Sequence, residues 1–346
     1  MSKKKLVGII VACIVVVIVV AVVVSTRGDA PPEDVGVVTF ADANLEAAVR
    51  EAIGSPAGPI YPEDLADLTL LAAEERDISD LTGLEYATGL TELTLYINQI
   101  SDISALQGLT NLTSLSLHTN QISDISALAG LTSLEMLYLE NNQISDISAL
   151  AGLTRLTWLY LDGNQISYVS PLAGLTGMTV LSLISNQISD ISPLAGLTNL
   201  TMLRVNRNQI SDISPLANLT DLEWLSMGSN GISDISPLEG VTSLLGLSLD
   251  SNQITDISPL EGLTSLTMLY LDYNQISDVS ALTGLTSLTY LLLDSNQISD
   301  ISPLADNPGL GEPDYVGLSQ NPLSEQSINE HIPALQAQGV IVDYWP

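Results

Sequence analysis

The chain has 346 residues, 40 of them acidic and 9 basic, for a formal net charge of -31. Nucleic-acid binding through phosphate contacts needs clustered Lys and Arg, so the charge balance excludes that class. One Cys and two His leave no intramolecular disulfide framework and little for zinc or for Ser-His-Asp and Cys-His catalysis.

Lys3, Lys4 and Lys5 precede 19 uncharged residues from Leu6 to Val24, nearly all Val and Ile. As a helix, at ~1.5 Å per residue, this run is about 28 Å long, close to the ~30 Å hydrocarbon core of a bilayer. The positive-inside rule places the three lysines in the cytoplasm and the acidic remainder outside. The expectation is a single-pass transmembrane signal-anchor over residues 1–28, at the plasma membrane, with the rest extracellular. Two alternatives stay open. A signal peptide would be cleaved, although its apolar stretch is usually shorter and Val23-Val24-Ser25 is a poor cleavage match. Cys13 would carry a lipid if Ile10-Val11-Ala12-Cys13 were a lipobox, although apolar residues continue after it. Residues 29–36, with Pro31 and Pro32, read as a short stiff stalk.

Residues 37–89 read as an amino-terminal cap with a degenerate first repeat. Asp42 is placed to cap a helix whose apolar face is Leu45, Ala48, Val49, Ala52 and Ile53, and Gly54 is placed to end it. From Asn98 to Asn296, ten asparagines recur every 22 residues without insertion or deletion. Alternation in Leu93-Thr94-Leu95 and Leu137-Tyr138-Leu139 predicts strands with the leucines facing inward. The Asn marks a tight inward corner, where its amide can satisfy backbone groups removed from water. On the return side Ile100, Ile103, Leu106 and Leu109 are three apart, as a 3₁₀ turn requires. Ser-Pro pairs such as Ser170-Pro171 and Ser192-Pro193 read as a Ser cap followed by Pro at the first helical position. Residues 90–321 are the repeats, ending in a strand and corner at Val316 to Asn321 that is offset by three. Residues 322–346 would close the stack with a helix over 324–338 and a final strand at Val340-Ile341-Val342.

The frame L-x-x-L-x-L-x-x-N-x-I-S-D-I-S-P/A-L resembles the leucine-rich repeat. Its 22-residue form with N-Q-I-S-D-I-S-P-L is similar to the internalin class of bacterial surface proteins. The resemblance implies an α/β solenoid: a curved parallel β-sheet, short 3₁₀ or irregular convex segments and a helical amino-terminal cap. It also implies non-catalytic binding of a protein or glycan on the concave side, with no cofactor. No immunoglobulin-like domain follows the repeats and no sortase motif ends the chain, so attachment is expected from the amino terminus. A host-invasion role is not carried over. The alternative is a cytosolic regulatory scaffold similar to phosphatase-associated leucine-rich-repeat subunits, for which the apolar segment has no use.

In this frame the residues six, four, two and one before each Asn face the concave side. The first column holds Met136, Trp158, Met202, Trp224, Met268 and Tyr290; the second holds Tyr138, Tyr160, Arg204, Tyr270 and Leu292. The third holds Tyr96, His118, Glu140, Asp162, Asn206, Asp250, Asp272 and Asp294, and the fourth adds Arg207 and Tyr273. Large rings, Met and Arg are the composition of an interface core. The sharpest candidate ligand site is Tyr138, Trp158, Tyr160, Met202, Arg204, Arg207 and Trp224, with the two arginines suited to an acidic group on the ligand. Glu140 and Asp162 resemble a glycosidase pair only in their spacing, and nothing else in the sequence supports catalysis. No metal site is expected, since Asp250-Ser251-Asn252 and Asp294-Ser295-Asn296 lack the Gly and Glu of a calcium loop. On the return side Asp102, Asp124, Asp146, Asp190, Asp212, Asp234, Asp256, Asp278 and Asp300 form a column that Tyr168 alone breaks. Each Asp either shapes its own turn or joins its neighbours in weak association with divalent cations.

Overall fold

Each coil of the repeat contributes one three-residue strand, and in the computed structural model, which describes residues 36–345, 13 such strands pair in sequence order. They are β1 (Leu70–Ala72), β2 (Glu92–Thr94), β3 (Ser114–Ser116), β4 (Met136–Tyr138), β5 (Trp158–Tyr160), β6 (Val180–Ser182) and β7 (Met202–Arg204). Then follow β8 (Trp224–Ser226), β9 (Gly246–Ser248), β10 (Met268–Tyr270), β11 (Tyr290–Leu292), β12 (Tyr315–Gly317) and β13 (Ile341–Asp343). Every pairing is parallel, and the 22-residue period sets Leu137 opposite Leu159 and Leu159 opposite Leu181. The three extra residues before the last corner are absorbed between strands, so that Leu291 still meets Val316. The apolar segment at residues 6–24, Cys13 and the stalk up to residue 35 lie outside the described residues. Among the described residues no helix is long and apolar enough to cross a membrane.

One coil shows how the interior is filled. Leu181, Leu183, Ile188, Ile191, Leu194, Leu197 and Leu200 are all at most 1% exposed. No single coil could bury these side chains alone, and stacking joins them into one continuous core. Short 3₁₀ turns such as Ser170–Leu172 and Ser214–Leu216 carry the chain back along the convex side.

The corner asparagines tie each coil to the one before. Asn186 accepts from the Ile166 amide at 2.9 Å and donates to the carbonyls of Leu161 and Leu183 at 3.0 and 3.1 Å. The same bonds recur from Asn98 to Asn296, and Asn321 repeats them despite its offset. A second ladder went unread in the sequence. Threonines just before the strands, including Thr157, Thr179 and Thr201, place their hydroxyls on carbonyls one coil back at 3.0 to 3.2 Å.

The last two of the four positions expected on the concave side follow the three-residue strand rather than belong to it, and the residue just before each Asn turns the chain. It sits in the left-handed region, at φ between 53° and 58° for Ile97, Thr119, Arg207 and Tyr273. That conformation is costly for side chains branched at Cβ such as Ile97 and Thr119. It persists because the amide of each such residue bonds to the next coil, as Arg207 does to the Gly228 carbonyl at 2.9 Å.

Two further expectations need correction. The 3₁₀ turns are not capped by their Ser. The Asp two residues earlier accepts the Ser amide instead, as Asp212 does from Ser214 at 2.8 Å, and where Pro occurs it is the second residue of the turn. The convex Asp column is therefore a column of turn caps. The expected helix over 324–338 is also divided: Ser327–His331 winds as a π-helix before a short α-helix, Ile332–Ala337. Pro333 has no amide to donate backward, and the wider turn lies just before it. The other end follows its capping signals. The helix Ala43–Ile53 starts on Asp42, whose carboxylate accepts the Asn44 and Leu45 amides, and ends on Gly54 at φ 66°. Asp42 also accepts the Ser79 amide at 2.8 Å, joining this helix to the first coil.

Replacing Asn186 by Ala orphans the Ile166 amide inside the corner, while the carbonyls of Leu161 and Leu183 each lose one donor and keep another, from Asn164 and Asn208. At about 1–3 kcal/mol for one buried unsatisfied group, the loss should be about 2 kcal/mol. Urea unfolding followed by circular dichroism should show a lowered midpoint. Asn186→Asp, which keeps the acceptor but not the donor, should also be destabilised, and an unchanged midpoint for both would mean that water replaces the amide at no cost.

Candidate functional site

In each strand the middle residue points into the core and its two neighbours face the concave side, so β4 runs half-buried, buried, half-buried. Parallel pairing then sets concave residues side by side across strands: Met136 with Trp158, Trp158 with Val180, Val180 with Met202 and Met202 with Trp224. The adjoining row runs Tyr138, Tyr160, Ser182, Arg204, Ser226. The seven candidate residues thus come together as two groups with β6 between them, which the columns of the sequence did not display.

In the first group the rings of Tyr138 and Tyr160 stack, with centroids 5.3 Å apart and planes 14° apart. Trp158, at the start of the same strand as Tyr160, is 41% exposed. In the second, the indole of Trp224 lies across Gly246, where a Cβ would stand 2.3 Å from the ring. Glycine at that one position lets a large ring lie flat on the sheet. Among the described residues neither Arg204 nor Arg207 forms an ion pair within 4 Å. Arg207 belongs to the left-handed corner after β7 and is exposed there.

Carboxylates lie beside the first group. Asp162 accepts the Ser182 hydroxyl at 2.5 Å and the Ile184 amide at 2.7 Å. Ser182 is fully buried and anchors Asp162, while Val180 at the start of β6 stays half-buried in the concave row. One coil back, Glu140 has a buried Oε2 with no hydrogen-bond partner. Burial, aided by the neighbouring Asp162 charge, pushes the Glu140 carboxyl up to about 7, against the opposing influence of its own backbone amide and Arg204. Asp162 is raised as well, by burial, and Tyr160 is raised by burial while Arg204 pulls it down.

The remaining candidates flank these groups. Tyr96 stacks on His118 at 4.5 Å, and the His118 Nδ1 lies 2.9 Å from the Ser116 hydroxyl. Burial lowers the His118 pKa. Toward the other end Tyr270, Tyr290 and Tyr315 follow one another at 5.5 and 5.1 Å. On the convex side Asp124, Asp190, Asp212, Asp234, Asp256 and Asp300 have lowered pKa values, chiefly because each accepts its Ser amide. Among the described residues no group of three or more His, Cys, Asp or Glu side chains is arranged to hold a metal ion.

A sheet of in-register three-residue strands, an asparagine corner every 22 residues and a solvent-facing concave row define a leucine-rich-repeat protein. The family model for leucine-rich repeats in two copies matches nine overlapping windows, from 88–130 to 264–306. The chain belongs to that family and, within it, to the internalin-like bacterial proteins. An internalin (inlF) from Listeria monocytogenes is 39% identical with a TM-score of 0.83, over 89% of this chain and 91% of that one. An internalin C2 (inlC2) from the same species is 41% identical with a TM-score of 0.58, over 62% of this chain and 94% of that one. A leucine-rich-repeat protein from Leptospira interrogans shares the fold, at 24% identity and a TM-score of 0.75, over 81% and 73% of the two chains. No curated protein sequence matches the chain.

The Glu140 carboxyl sets a pH dependence whose sign is fixed. Its pKa in the folded chain, about 7, lies above the ordinary 4.5, so the folded state holds the proton more tightly than the unfolded state. Its contribution favours folding when protonated and is lost as pH rises from about 4.5 to about 7. Glu140→Gln should therefore raise stability at pH 8 by about 2–3 kcal/mol relative to wild type, and change little at pH 4. Urea midpoints at the two pH values measure this, and an identical pH slope in both proteins would show that Glu140 titrates normally.

Proposed function

We propose that this protein is a non-catalytic cell-surface receptor that binds a protein or glycan ligand through its concave face, with Tyr138, Trp158, Tyr160, Met202, Arg204, Arg207 and Trp224 as contacts. The observation that carries this reading is an indole left 41% exposed beside a stacked tyrosine pair on a sheet face. A protein whose core is aliphatic has no folding need for large rings in that position, and exposed rings with nearby arginine are what binding hot spots contain. Arg204 and Arg207, without ion-pair partners among the described residues, suit a carboxylate or other acidic group on the ligand. The internalin resemblance supports a surface location. Residues 6–24 are proposed as the membrane anchor, on the strength of their apolar run and the preceding lysines. Divalent cations are assigned only a weak association with the convex column, where an oxygen of each Asp already accepts an amide.

Protease added to intact cells should degrade the repeats and leave a membrane-bound remnant; protection of the repeats would overturn the surface location. The binding reading is tested with the ligand that the purified chain captures. Tyr160→Ala, Arg204→Ala and Trp224→Ala should each weaken it by about 2 kcal/mol, read by isothermal titration. Gln187→Ala, on an exposed position away from the sheet, is the control. Equal affinity across all four variants would remove the patch from consideration.

A further inference from the structure

The concave face from β9 onward has a chemistry of its own, and we propose that it docks an extended, arginine-bearing segment of a partner protein across the coils of β9 to β12. This rests on the concave side being the binding side, but on different residues from those above.

Three half-buried rings, Tyr270, Tyr290 and Tyr315, form a row on this unpartnered sheet face, and Tyr315 is held by its hydroxyl donating to Asp343 at 3.2 Å. Beside the rings run Asp250, Asp272 and Asp294, one per coil. At ~4.8 Å between strands they span roughly 10 Å. The outer two are anchored: Asp250 accepts the Ser248 hydroxyl at 2.6 Å, and Asp294 accepts the Ser319 amide at 2.7 Å. Asp272, between them, accepts no hydrogen bond from another of the described residues. Burial first, and then the charges of Asp250 and Asp294, raise its pKa.

Nothing among the described residues neutralises this row. Arg50, Arg76 and Arg155 are paired with Glu46, Glu51 and Glu135. Arg204 and Arg207 belong to β7 and its corner, two strands from β9, after which Asp250 lies, and neither forms an ion pair with it. The convex aspartates differ, because each accepts the amide of its own turn. The concave row therefore lacks a cation that a partner must bring, and the rings select its kind. A guanidinium forks onto a carboxylate and stacks on a tyrosine face, whereas an ammonium does the first less well and the second hardly at all. In an extended segment alternate side chains stand ~6.8 Å apart, so two arginines separated by one residue reach across the three carboxylates. A calcium ion would need 6–8 converging oxygens, and these carboxylates lie in a line, with no converging group of three among the described residues.

The test uses the purified full-length chain and a blocked pentapeptide with arginines at its second and fourth positions and serines elsewhere. Fluorescence anisotropy should show saturable binding, weaker for the lysine peptide and absent for the citrulline peptide. Asp272→Asn and Tyr290→Leu should each weaken the arginine peptide at least about tenfold. The convex variant Asp212→Asn should leave it within about twofold. Three results would overturn the proposal: citrulline binding as well as arginine, Asp212→Asn weakening the peptide as much as Asp272→Asn, or calcium displacing it stoichiometrically at matched ionic strength. Arg204→Ala and Trp224→Ala should not change peptide affinity, so failure here is separable from failure of the β4–β8 patch.

Discussion

A coil that turns inward every 22 residues strands backbone amides and carbonyls away from water, and one asparagine amide per coil satisfies them. The oxygen takes an amide of the preceding coil; the nitrogen gives to a carbonyl of that coil and to one of its own. Because the same group bonds within its coil and to its neighbour, it fixes both the turn and the stacking register. A shift of one residue between coils would break every rung at once. With register guaranteed at the corner, strands of only three residues suffice to make a sheet. The residues facing out of that sheet are left free to vary, and the variation follows from this freedom: leucine recurs inside, while Tyr, Trp, Met, Arg and Asp alternate outside.

The architecture was legible because it repeats. The asparagine spacing, the leucines flanking it and the three-residue rhythm of the return side each follow from a geometry that recurs unchanged. What escaped depended on partners one coil away or on local conformation without a compositional mark. Ser and Asp are both good caps, so pattern alone did not reveal that Asp212 rather than Ser214 does the capping. The left-handed corner is occupied by Ile, Thr, Arg and Tyr as well as by Gly163, so no glycine signal announced it. The threonine ladder hides within residues that any strand would accept. In the candidate site, the side chains were legible by type. Their division into two groups was not, because Ser182 looks blank until its partner Asp162 is placed beside it.

Electrostatics give the concave face its character. Glu140 and Asp162 are held half-buried, and burial, with the Asp162 charge, outweighs the pull of Arg204, so that Glu140 retains its proton to about 7. The protein has few cations, and those on the described coils serve the amino-terminal cap, the single pair Arg155–Glu135 or β7. Neutralisation from within is confined to a small part of the face. Elsewhere its charge stays open to whatever approaches, and long-range attraction by so acidic a body hastens the encounter with basic partners.

The strict 22-residue period also bears on inheritance. Neighbouring coils are nearly interchangeable at their junctions, so unequal recombination that removes one whole copy leaves every asparagine rung intact. Excising the coil that carries β6 would place Tyr160 directly beside Arg204 and merge the two groups of the concave patch into one. The make-up of the concave face in such a chain can change by the loss of a single cassette, without any substitution.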